Sequence, residues 1–118
     1  MIALRSGAAA LMVAFALMLP HHEAAADVVT FQTGNDVYRW CTTSPNGEAC
    51  LAYVSAVSDA MARGDAIFGS RACFSAAMTK AQVRDIGVAF LKAHADVRHF
   101  SGASLLAAAF AEAFPCKS

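Results

Sequence analysis

Four cysteines, Cys41, Cys50, Cys73 and Cys116, are the residues of this 118-residue chain whose type and number point to defined chemistry. They are 9, 23 and 43 residues apart, with no C-x-x-C pair of the kind structural zinc sites usually carry. An even count in a small exported chain reads as two disulfides, and the N-terminus supplies an export signal. Three pairings are possible for four cysteines, and sequence alone does not choose among them. A nucleophilic thiol partnered by His94 or His99 is the competing reading, but nothing sets one cysteine apart from the others. The two histidines are five residues apart, neither i+3 nor i+4, so they would not share a helix face as metal ligands. His94 reads better as a helix C-terminal residue favoured by the dipole, and His99 as a loop or capping residue. Asp59 is a candidate general acid, but no second carboxylate accompanies it at a catalytic spacing, so a solvated helix position is the simpler reading. Tyr38, Trp40 and Tyr53 form either a ligand-stacking surface or helix packing. Gly-rich phosphate loops, G-x-S-x-G, H-E-x-x-H and EF-hand patterns are missing. The expectation is a non-enzyme with no catalytic residue, no metal site and no cofactor.

The positioning of these residues begins with an unusual N-terminus. Residues 1–7 carry one positive charge, Arg5, and residues 8–19 are an uninterrupted apolar stretch. Pro20, His21, His22 and Glu23 break it, and Ala24, Ala25 and Ala26 supply small residues. This is the order of a secretory signal, with cleavage expected between Ala26 and Asp27. Twelve residues of helix span about 18 Å, short of the ~30 Å hydrocarbon core, so a membrane anchor is disfavoured. No cysteine near the cleavage point invites a lipid anchor. The expected mature chain, residues 27–118, is a single soluble exported domain.

Charge narrows the partners. The whole chain has nine Lys plus Arg and nine Asp plus Glu, and removing residues 1–26 takes Arg5 and Glu23. The mature chain therefore stays neutral before histidine. It lacks the basic stripe that nucleic acid requires and the excess cation that an anionic membrane surface attracts. Disorder is excluded by the 58% hydrophobic composition with no net charge.

Alanine dominates the mature part, glycine and proline are few, and no run alternates long enough for a half-buried strand, which favours helices. The fold class expected is all-α, a small bundle of about four helices stapled by two disulfides. A first helix is predicted over 35–41 behind Thr33, Gly34 and Asn35, which offer capping side chains. Residues 44–47, Ser-Pro-Asn-Gly, read as a turn. A second helix over 48–63 carries Cys50, Val54, Val57 and Met61 as one buried stripe, and Gly64 is suited to end it. Residues 65–78 form a longer connection. Thr79 and Gln82 then make a capping box for a third helix, whose buried face is expected at Val83, Ile86, Phe90 and His94, flanked by Leu91. A fourth helix over 101–114 carries Leu106, Ala109, Phe110, Ala113 and Phe114 and is stopped by Pro115. One arrangement of the disulfides ties Cys41 to Cys116, joining the chain extremities, and leaves Cys50 to fasten Cys73. Each such bond adds ~3–4.5 kcal/mol to a bundle that buries only about 60–65% of its unfolded surface.

Four segments in order carry a family resemblance: Gly34-Asn35 ahead of Cys41; Cys50, Tyr53 and Asp59 in C-x-x-Y-[apolar]-x-[small]-[apolar]-x-D; Cys73 ahead of the third helix; and Phe114-Pro115-Cys116. Together they resemble the Tai/Rap immunity proteins of type VI secretion, over nearly all of residues 30–116. The resemblance implies a periplasmic all-helical inhibitor, often a homodimer, that binds a cognate cell-wall amidase effector and blocks its active-site cleft. Two departures bear on loop shape and partner choice: Ser75 stands where the family often has proline, and His94-Ala95 where it often has His-Pro. The best candidate for the inhibitory loop is 65–72, with Asp65, Ile67, Phe68, Gly69 and Arg71 as partner-binding residues. Gly69 permits a sharp turn, and Arg71 suits an acidic rim. Phe68 is either an exposed anchor or a side chain tucked under the loop against the second helix. Two other functions stay open: an acid-stress chaperone, and a binding module that keeps the fold without a toxin partner.

Overall fold

The computed structural model describes residues 29–117. The expected signal, residues 1–26, and its cleavage point lie outside the described residues. Four α-helices follow: α1 (Gly34–Thr43), α2 (Glu48–Met61), α3 (Lys80–Ala93) and α4 (Gly102–Ala113), with one 3-10 turn, Ala95–Val97, between the last two. Among the described residues there is no strand beyond two isolated bridges, and no helix is long and apolar enough to cross a membrane.

The helices start where side chains can satisfy free amides. Thr33 caps α1, its hydroxyl accepting from the Asp36 amide at 3.3 Å while the Asp36 carboxylate accepts from the Thr33 amide at 2.9 Å. Thr79 and Gln82 make the same reciprocal pair on α3, at 3.2 and 2.9 Å. The Ser101 hydroxyl accepts from the Ser104 amide to open α4. At the other end of α2, Gly64 adopts φ +83°, which lets the chain leave the helix.

All four helices meet in one apolar core. The stripe expected on α2 is the stripe observed: Cys50, Val54, Val57 and Met61 are buried. On α3 the face is rotated from expectation. Val83, Gly87 and Leu91 are buried, whereas Ile86, Phe90 and His94 are only half-buried. The reason is Gly87, where a Cβ would lie 2.7 Å from Leu106 Cδ2, so α4 packs against bare backbone there. On α4, Leu105, Leu106, Ala107, Ala109 and Phe110 are buried, Ala113 is exposed and Phe114 half-buried.

The disulfides are Cys41–Cys50 and Cys73–Cys116. This corrects the expected pairing of Cys41 with Cys116 and Cys50 with Cys73. Cys41 lies near the end of α1 and Cys50 in the first turn of α2, so the tight turn at 44–47 folds the two sulfurs together inside the core. Arg84 holds that turn to α3, donating to Pro45 O at 3.0 Å and Asn46 Oδ1 at 2.9 Å. At the far end of α4, the Cys73 amide donates to Phe114 O at 2.8 Å, which sets Cys116 beside Cys73.

Candidate functional site

The connection from α2 to α3 builds a projecting hairpin. Ile67 and Ser70 exchange two backbone hydrogen bonds, each 2.9 Å, and close a two-residue turn with Phe68 and Gly69 at its tip. Both tip residues have positive φ, +48° at Phe68 and +78° at Gly69. Positive φ at both central positions is the requirement of the mirror-image turns that match strand twist. The base is fixed on both sides. Ile67 packs on the core, Ala72 is buried, Cys73 is bonded to Cys116, and Phe74 packs on Phe110 and Phe114 at 5.6 and 5.0 Å between ring centres.

The structure thus brings the five sequence-predicted residues onto one short projection with distinct roles. Ile67 faces inward and anchors the turn, while Asp65, Gly69 and Arg71 are exposed. Phe68 is 68% exposed and lies outside the residues packed on the core. The alternative in which it tucks under the loop against α2 is therefore not the one adopted. Neither Asp65 nor Arg71 forms an ion pair with another described residue.

The other candidates fall elsewhere. Asp59 is exposed and lines a groove of about 200 Å³ between α2 and the start of α3, with Ser55, Ser58 and Lys80 but no second carboxylate. His94 ends α3, its Nδ1 2.7 Å from Phe90 O and its ring stacked on Phe90 at 3.9 Å. His99 lies against Phe100 at 4.2 Å. Among the described residues no three His, Cys, Asp or Glu side chains converge as a metal site. Trp40 meets Tyr53 edge-on at 5.9 Å, and the Arg98 guanidinium sits 4.2 Å above the Tyr38 ring. These aromatics are half-buried against the core, and burial raises the Tyr53 hydroxyl pKa. They pack; they do not present a stacking face.

Sequence reading missed a second apolar patch at the start of α4. Phe31 is 88%, Val29 73% and Phe100 52% exposed. Their segments are joined by Gly34 N to Phe100 O and Gly102 N to Gln32 O, each 2.9 Å. No local motif signals this patch, because it exists only once residues 31–34 pair with 100–102. The two family departures are accommodated locally: Ser75 O accepts from the Met78 amide without a proline, and His94-Ala95 runs into the 3-10 turn.

The helical scaffold is cross-linked by two disulfides and carries the 67–70 hairpin between α2 and α3. Residues 33–116 match the model for Rap1a immunity proteins. The chain belongs to this type VI secretion immunity family. No curated protein and no solved structure matches it.

Proposed function

We propose that this protein is exported by way of residues 1–26 and acts in the periplasm as the immunity protein of a type VI secretion effector, a peptidoglycan amidase whose active-site cleft it blocks. The observation that carries this reading is the family match over 33–116, which takes in every helix among the described residues and all four cysteines. Two disulfides suit an oxidising compartment. Inhibition of this kind needs no turnover and no cofactor, only a preformed projection that loses little conformational freedom on binding. The hairpin around Phe68 is such a projection, and the exposed Arg71 supplies charge for the rim of an acidic cleft. The reading includes a homodimer, which sedimentation equilibrium tests.

The decisive experiment asks whether the adjacent reading frame encodes a secreted hydrolase, mixes that enzyme with mature protein (27–118) and follows digestion of purified cell-wall sacculi. The expected result is stoichiometric inhibition of the release of amide-cleaved peptides. An adjacent enzyme that instead releases reducing sugar ends would sink the amidase assignment while leaving immunity intact. Arg71→Ala is expected to weaken inhibition, by up to about tenfold for a rim charge, mainly through a slower association rate.

A further inference from the structure

Phe68 breaks two rules at once. Its φ of +48° lies in the left-handed region, where a Cβ crowds the following carbonyl and only Gly, Asn and Asp settle readily. Its ring is also exposed, so no burial within this chain offsets that strain. The turn does not call for phenylalanine: a two-residue loop closed as Ile67 and Ser70 close this one is best served by Asn-Gly. Gly69 meets the demand at the second position, and Phe68 fails it at the first. Strained residues persist where their surroundings over-determine them, and they cluster at ligand contacts. The clamp is visible in the inward Ile67, the buried Ala72 and the Cys73–Cys116 bond.

Resting on the immunity reading above, we propose that Phe68 is the affinity- and specificity-determining residue of the hairpin, retained at the expense of folding stability, and that it enters an apolar pocket rimmed by carboxylates on the partner. A single aromatic on a rigid convex turn is complementary to a concavity, and buried aromatic anchors dominate binding energy. The flanks fix the charge of the rim. Arg63 and Arg71 are exposed and make no ion pair with a described residue, and Asp65 is the one carboxylate between them. The projection is net positive, so its complement is acidic.

The test uses the mature, oxidised protein, Phe68→Asn and Phe68→Leu, with thermal melts in one arm and titration against the adjacent-frame hydrolase in the other. Phe68→Asn is expected to raise Tm by about 4–8 °C, because it relieves the strained position. The same change should weaken binding by about 30-fold or more, the loss of a central anchor. Phe68→Leu keeps both the strain and an apolar tip, so its Tm should stay near wild type with an intermediate affinity. Wild-type association should slow as salt rises. A Tm for Phe68→Asn at or below wild type overturns the stability trade, and salt-independent association overturns the acidic rim. Undiminished binding by Phe68→Asn, where the wild type inhibits, overturns the anchor alone. A wild type that binds no adjacent hydrolase overturns the immunity reading and the anchor with it, and the melts still report on the strain.

Discussion

The Asp36 carboxylate accepts from the Thr33 amide and from the Thr33 hydroxyl, both at 2.9 Å, and receives Arg39 Nη2 at 2.9 Å. The Thr33 backbone bond is the largest influence on it, followed by the Thr33 hydroxyl, and its pKa is held below the ordinary 3.8. A folded-state pKa that is depressed gives stability that is present above the unfolded value and lost as pH falls through the folded one. Asp36→Asn is therefore expected to lower Tm at pH 7 and to converge with wild type only as pH falls through the depressed folded-state value, which lies below 3.8, as melts across a pH series would register. Thr33→Ala removes the other half of the cap and should cost about 1 kcal/mol at neutral pH. That a cap opens this helix was legible in sequence because its signal is local, Thr33, Gly34 and Asn35 offering capping side chains; the answering carboxylate of Asp36 was not read. Phe68 was not legible in the same way, since its exposure depends on how Ile67 and Cys73 are pinned by residues far along the chain.

Among the elements, α2 and α3 show what periodicity can and cannot deliver. Counting apolar residues found the α2 stripe because Cys50, Val54, Val57 and Met61 are themselves what the core receives. The same count misplaced the α3 face, because its centre is Gly87, which packs against Leu106 of α4 and has no side chain to count. Helix contact there depends on absence of volume. Gly87→Val is expected to cost about 1–3 kcal/mol, measured by urea unfolding, because the added methyl groups collide with the fully buried Leu106. Shape near the start of α4 escaped for a related reason: the Phe31 and Phe100 patch is assembled by backbone pairing between segments about 70 residues apart in sequence, where no propensity scale reaches.

For the molecule as a whole, cross-linking carries a large share of what a domain this size can hold. In the chain-entropy account, closing the 9-residue separation of Cys41 and Cys50 contributes about 2.7 kcal/mol, and closing the 43-residue separation of Cys73 and Cys116 about 4 kcal/mol. Replacing Cys73 and Cys116 together by alanine is expected to cost about 4 kcal/mol in urea unfolding and to loosen the hairpin base, which hydrogen exchange at Ile67 and Ser70 would report. The four-helix class and the presence of two bridges were readable from composition and cysteine count. The partners were not, because pairing follows which helix ends meet, and that is decided by the turn at 44–47 and by Cys73 docking on Phe114.

Neighbours along the chain pair first with second and third with fourth. If the proposed export delivers the chain N-terminus first to an oxidant, Cys41 and Cys50 meet it before Cys73 and Cys116, and their bond removes both from circulation. Cys73 then has Cys116 as its one remaining partner among the four cysteines. Such an order of arrival would leave no scrambled linkage to be broken and remade.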